Sequence, residues 1–280
     1  MDKLKKLQMV QLYILKKVKQ ICEENNLKYY LIGGTLLGAI RHQGFIPWDD
    51  DIDIVMYRDD LKKLESIIRN EYCEEFFVQN FYTDAHYTRY ITKIRLNGTS
   101  QEEQGNYNME MHKGIYIDIF PLDYVKKNHG IEMYLRGKIL RCLFAVKTVK
   151  HVKVTKKSKW KRLLISICKP IFIFVPDNFI NKLFDWVCGK DNKKKSVCKF
   201  TANFASHFRW NKQTYPNDVY GEGKQALFVD ETFCIPSKPE VILKSIYGED
   251  YMQPPPVEKR NSGHTLININ FGKYENELFK

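Results

Sequence analysis

The sequence predicts an α/β (α+β) fold, a mixed sheet flanked by helices, and three observations carry that reading. Apolar residues recur at helical spacing near the N-terminus. Two short segments, Asp51-Ile-Asp-Ile-Val55 and Gly114-Ile-Tyr-Ile-Asp-Ile-Phe120, alternate with period two. A long stretch between residues 131 and 200 reads as helical and basic. The chain has 280 residues, 44% of them hydrophobic and 14% aromatic, enough for a sizeable core and unlike a disordered composition.

Taken in order, Leu4, Leu7, Val10 or Gln11, Ile14, Val18 and Ile21 place a helix over 3–25, ended by Asn25-Asn26. Tyr29 to Ile32 is rich in strand formers. Gly33-Gly34 breaks that strand, and Leu36 to His42 fits a helix with Thr35 near its N-cap. Gly44 and Pro47 mark a loop. The strand 51–55 follows, then a helix over 59–71 and a strand over 87–96. The strand 114–120 is closed by Pro121. Three parts are expected: a core over 1–130, a basic helical segment over 131–230, and a C-terminal part, 231–280, completing the site.

Seven scattered cysteines without a C-x-x-C pair exclude a familiar zinc site and read as reduced thiols of a cytoplasmic protein. No long apolar run follows the N-terminal lysines, so no signal peptide is expected. The net charge is +12, and its whole excess is local. Met133 to Pro176 holds twelve Lys or Arg and no acid; without those twelve, 33 basic residues face 33 acidic ones. Such a segment attracts polyanions. Its apolar run Leu163–Val175 is short of the ~20 residues that span a bilayer. It reads either as a peripheral segment in the membrane interface or as a core helix with a solvated basic face. Nucleic acid is not expected as a partner, because no familiar binding motif accompanies the charge.

The chemistry points to the acids. Residues two apart on a strand share a face, so Asp51 and Asp53 project together while Ile52 and Ile54 face a core. Paired carboxylates repel unless protons or cations neutralise them, and oxygen ligands of this kind suit Mg²⁺ or Mn²⁺. Asp118 is a third acid on an otherwise apolar strand; a metal ion, or a buried Arg or Lys, would compensate it. Gly33, Gly34 and Thr35, at a strand–helix junction, let backbone N–H groups approach a phosphate. Arg41 and Arg95 are candidates for a diphosphate, with Lys93 behind them. His42 and His264 are read as hydrogen-bonding residues before bases. Asp49 and Asp50 are either supporting groups or an acidic turn, and Asp123 is read as capping a turn.

At these residues the chain resembles the LicD-type phosphotransferases. The resemblance rests on Gly33-Gly-Thr-Leu-Leu-Gly-Ala-Ile-Arg-His42, Gly44-Phe-Ile-Pro-Trp-Asp-Asp-Asp-Ile-Asp-Ile54, Gly114 to Asp123, and Tyr247 to Pro255 with Arg260 and His264. It implies a nucleotidyltransferase-like fold and transfer of phosphocholine from CDP-choline to a glycan, releasing CMP. That glycan would be a lipopolysaccharide, teichoic acid or capsule. Fukutin-like relatives imply alditol phosphates as alternative cargo; nucleotidyl transfer is a second alternative and polyanion binding a remote one. By position, Asp51 and Asp53 match the family's metal pair, Asp118 its third carboxylate, and Gly33, Gly34 and Thr35 its phosphate loop. Pro256 is an extra proline in the C-terminal motif. Choline would seek aromatic faces, for which Trp48, Tyr116 and Tyr251 are candidates.

Overall fold

The computed structural model describes residues 2–104, 109–151, 174–206 and 212–279. Helix α1 (Lys3–Glu24) buries Leu7, Val10, Ile14, Val18 and Ile21, the stripe that the periodicity selects. Strand β1 (Tyr29–Leu31) leads into α2 (Gly33–His42), and β2 (Asp53–Tyr57) into α3 (Arg58–Glu71). Then come β3 (Phe76–Gln79), β4 (Thr92–Leu96), β5 (Ser100–Glu103) and the long β6 (Tyr116–Val125). Helices α4 (Ile131–His151) and α5 (Asp177–Gly189) separate β6 from β7 (Phe200–Ala202) and β8 (Thr214–Pro216). The turn α6 (Asn217–Tyr220), the hairpin β9 (Lys224–Phe228) and β10 (Glu231–Ile235), α7 (Pro239–Tyr247), β11 (Leu266–Asn270) and α8 (Tyr274–Leu278) complete the described chain.

The central sheet runs β1-β2-β6-β4-β3, with β7 and β8 continuing from the far half of β6. Strands β2 and β6 are parallel and the remaining pairs antiparallel, so the sheet is mixed. Ile52, Ile54, Ile94, Ile115, Ile117 and Ile119 all enter the main core with α1 and the buried Leu61, Leu64 and Ile68 of α3. The Thr92 hydroxyl donates to Glu65 of α3 at 2.5 Å, which fixes α3 on that isoleucine face. The opposite face of the middle strands is left to the polar residues of the alternation.

Several elements differ from the expectation. The strand expected over 51–55 begins at Asp53, so Asp51 sits in the incoming loop. The strand expected over 87–96 begins only at Thr92, and no strand was expected at β3. Pro121 does not close β6, which continues to Val125. The Asp118 N–H points to β2, donating to the Ile52 carbonyl. By alternation the Pro121 nitrogen faces the other edge. There β4 pairing stops at Ile119 and β7 pairing starts at Asp123. A missing N–H costs nothing in that gap.

Asp123 does not cap a turn. It is fully buried in β6 and takes two 2.7 Å hydrogen bonds from Arg58, with a third from the Asn192 amide. Arg58 also reaches Asp185 of α5 at 2.7 Å, so one guanidinium ties α3, β6 and α5. A second core, Tyr90, Leu140, Phe184, Val187 and Cys188, lies between α4, α5 and the loop before β4.

The basic excess is also partly internal. Arg136 is buried, donating to the Val187 and Cys188 carbonyls at the end of α5 and to Asp191. A cation at that terminus meets carbonyls that lack helical partners. Lys147 is buried on the Asn181 amide oxygen at 2.7 Å. These two are therefore not part of a solvated basic face. The remaining call on a membrane-interface segment falls mainly on residues 152–173, outside the described residues. Among the described residues no helix is long and apolar enough to cross a membrane.

Breaking a buried ion pair strands the other charge, which costs about 3–5 kcal/mol. Arg58→Met is therefore expected to lower stability by about that amount in denaturant unfolding, with Asp123→Asn less damaging because its amide can still pair.

Candidate functional site

The polar face carries a row of side chains built by strand register. Asp53 on β2 pairs with Asp118 on β6, Asp118 with Lys93 on β4, and Lys93 with Gln79 on β3. The sequence expectation that Tyr116 and Asp118 share a face opposite the isoleucines holds. Lys93 donates to Asp118 Oδ1 at 2.6 Å, and both side chains are almost wholly buried. The buried-lysine partner for Asp118 is thus present. Lys93 lies over the Tyr116 ring, as does Arg95. The Tyr116 hydroxyl donates to Glu103 of β5 at 2.5 Å.

The acid loop is held from three sides. From α1, Gln8 and Gln11 donate to the Asp49 and Asp50 carbonyls, each at 2.8 Å. From α2, Thr35 lies inside the helix rather than at its cap; its hydroxyl accepts the Asp53 N–H at 2.8 Å. From the C-terminal part, His264 Nδ1 lies 3.3 Å from Asp50 Oδ1 and 3.8 Å from Asp51 Oδ2. The β5–β11 pair delivers His264, which lies two residues before β11.

The two glycines have a specific use. Gly33 adopts φ +61°, and a Cβ there would lie 3.0 Å from Asp53 Oδ2. A Cβ on Gly34 would lie 2.4 Å from Asp49 Oδ2. Their bare backbone lets two carboxylates close on the start of α2, whose N–H groups favour negative charge.

The electrostatics follow from this crowding. Burial, with Asp51 and Asp50 beside it, raises the Asp49 carboxyl to about 7. Burial raises Asp51 to about 6; His264 opposes the rise and Asp118 adds to it. Asp53 is pushed well above the ordinary range by burial and then by Asp51, Asp118 and Asp49. Burial pulls Lys93 down to about 8 against the pull of Asp118. The hydrogen bond with Asp50 raises His264 above its usual value. Asp50 is fully buried, and its Oδ2 has no hydrogen-bond partner.

These residues fit a hard divalent cation. Several carboxylates are crowded and under-neutralised, and one buried oxygen lacks a partner. Ligand atoms of Asp50, Asp51 and His264 lie within 4.8 Å of one another and could hold an ion. Of the acids expected from the sequence, Asp51 belongs to this group, and Asp50 and His264 are its other members. Asp53 follows two residues after Asp51, with Asp118 beside it in the parallel register. Asp50 was legible only as a member of the acidic run, and His264 only through its motif.

Other candidates are placed elsewhere. Arg95 is fully buried, donating to Gln79 and to the Gly114 carbonyl, each at 2.5 Å. Arg41 hydrogen-bonds His42 and the Tyr251 and Gln253 carbonyls, which joins α2 to the C-terminal loop. Arg89, which the sequence did not single out, is exposed and within electrostatic reach of Asp118 and Glu103. Of the aromatic faces, Tyr116 is covered by Lys93 and Arg95, and Trp48 carries the Arg260 guanidinium 5.1 Å from its ring centre. Tyr251 is half-buried against the core.

Comparison with known proteins adds an independent line. The family model described as LicD/FKTN/FKRP, nucleotidyltransferase domain, matches residues 26–155. The chain is 28% identical to the lipopolysaccharide cholinephosphotransferase LicD of Haemophilus influenzae, over 93% of this chain and 96% of that protein. A 47-residue stretch is 43% identical to the ribitol 5-phosphate transferase FKRP of human and of mouse, covering 10% of each.

The raised carboxyls set a pH dependence. A group raised on folding contributes stability at low pH that is lost as pH rises through its folded value. The metal-free cluster should therefore become less stabilising from about pH 4 to about pH 7. A cation binds the ionised form and reverses that loss. Mg²⁺ or Mn²⁺ is expected to raise the melting temperature more at pH 8 than at pH 5.5, checked by thermal scans at both, and Asp53→Asn should abolish the difference.

Proposed function

We propose that this chain, similar to the LicD/FKTN/FKRP family over residues 26–155 and to a LicD cholinephosphotransferase over 93% of its length, moves phosphocholine from CDP-choline to a sugar of a cell-surface glycan, releasing CMP. The observation that carries this reading is the convergence of Asp51, Asp53 and Asp118 at the start of two parallel strands, beside the N-terminus of α2. The relative matched along nearly its whole length is named for choline phosphate transfer, which favours that cargo over ribitol or glycerol phosphate. The relative named for ribitol phosphate matches over 17% of this chain, so CDP-ribitol and CDP-glycerol are the donors to compare.

In this reading Asp51 and Asp53 hold Mg²⁺ or Mn²⁺, and Asp50 and His264 support them. The ion supplies charge neutralisation on the donor's diphosphate and on the departing CMP. The acceptor hydroxyl oxygen attacks the phosphorus that bears choline. The bond from that phosphorus to the CMP oxygen breaks, and the hydroxyl proton passes to the free oxygen of Asp118. Lys93 holds the other oxygen, Oδ1, and so aims the carboxylate for that transfer. Arg41 and Arg89, which form no ion pair among the described residues, are assigned to phosphate oxygens. Gly33, Gly34 and Thr35 keep the start of α2 close to the cluster. The C-terminal part, 231–280, completes the site through His264. We place the acceptor on a lipid carrier at the cytoplasmic face of a membrane, where the basic segment holds the enzyme peripherally.

The test is CMP release from CDP-choline, CDP-ribitol and CDP-glycerol in the presence of Mg²⁺ and a lipid-linked glycan fraction. CDP-choline should give the largest kcat/KM. Asp53→Asn and Asp118→Asn should each lower it at least ~100-fold, the scale of removing one preorganised electrostatic group. Preference for another CDP-alditol would change the cargo; near wild-type turnover in both variants would refute the site.

A further inference from the structure

We propose that Lys93 takes the place of a second divalent cation, so that the cluster binds one such ion per chain, at its Asp51–Asp53 end. This inference rests on the metal-dependent reading above and fixes how that site is charged. Two-ion sites hold their metals ~3.5–4 Å apart and share carboxylates between them. The acid positioned to be shared here is Asp118, directly beside Asp53 in the parallel register. One of its oxygens is already taken, because Lys93 Nζ lies 2.6 Å from Oδ1. A divalent ion bonded to that oxygen would sit ~2.1 Å away, in space the ammonium fills.

Lys93 cannot easily withdraw. Its side chain is 5% exposed, as is that of Asp118. It pairs with Asp118 across β6 and with Gln79 across β3, and the Tyr116 ring lies beneath its ammonium. Arg95 occupies the next position on the same face and covers the same ring, which closes the way back along β4. Among the described residues, the other basic side chain within 4 Å of these acids is His264, a ring charged only if protonated, at the opposite end. Positive charge is therefore fixed at the Asp118 end. At the other end Asp51 and Asp53 crowd together, and the buried Asp50 Oδ2 lacks a partner. One divalent ion at that end completes the compensation. A monovalent ammonium built into the sheet sets a fixed positive charge on Asp118 Oδ1, with no ion to gain or lose there.

Calorimetric titration with Mn²⁺ on the full chain, with electron paramagnetic resonance counting bound ions, tests this without reference to activity. Wild type should bind one Mn²⁺. Lys93→Met removes the fixed charge and frees Asp118, so it should bind two, the first at least ~10-fold tighter, the scale of one unit of proton affinity near a removed charge. Lys93→Arg keeps the charge and should stay at one. Two ions in wild type would overturn the inference and leave the metal-dependent reading standing, as would one ion of unchanged affinity in a folded Lys93→Met chain. No ion in wild type would overturn both. The wild-type count decides the matter even if Lys93→Met does not fold.

Discussion

The constraint on which the site depends is carboxylate crowding in a low-dielectric place. Asp49, Asp50, Asp51, Asp53 and Asp118 meet where two parallel strands begin, and burial together with mutual repulsion holds several of them above the ordinary carboxyl range. Such an arrangement is unfavourable unless the surrounding fold enforces it. The enforcement is visible: isoleucines on the other face fix the strands, Gln8 and Gln11 grip the loop carbonyls, and Thr35 holds the Asp53 amide. Gly33 and Gly34 leave room for two carboxylates where any side chain would intrude. A divalent cation at these acids would relieve that repulsion.

The rest of the molecule keeps this cluster in register. Arg58 joins α3, β6 and α5 through Asp123 and Asp185, anchoring the far half of β6. The β5–β11 pair carries His264 to the acid loop, and Arg41 binds the C-terminal loop to α2. The match to the LicD/FKTN/FKRP family model agrees with this architecture, since the matched segment, residues 26–155, contains every acid of the row.

Much of this was legible because it obeys short-range rules. The 3.6 spacing of Leu7, Val10, Ile14, Val18 and Ile21 specifies α1, and period-two alternation places Asp118 opposite the isoleucines. What escaped the sequence depends on partners distant in the chain. Pro121 looked like a strand terminator because nothing local reveals that β6 changes neighbours beside it. Asp123 resembled a turn residue until Arg58, 65 positions away, came to it. Arg95 and Lys93 differ by one pleat, yet one guanidinium is locked on Gln79 and Gly114 while the ammonium meets Asp118. Arg136 and Lys147 looked like surface charge, because burial against helix-end carbonyls and an amide cannot be read from composition.

The central claim is that these acids hold a divalent cation at the Asp51–Asp53 end. The most direct measurement is anomalous scattering at the manganese edge from crystals soaked in Mn²⁺ with CDP. The account predicts one strong peak within bonding distance of Asp51 and Asp53 carboxylate oxygens. A peak elsewhere on the chain, or none at this cluster under conditions where the nucleotide is bound, would contradict it.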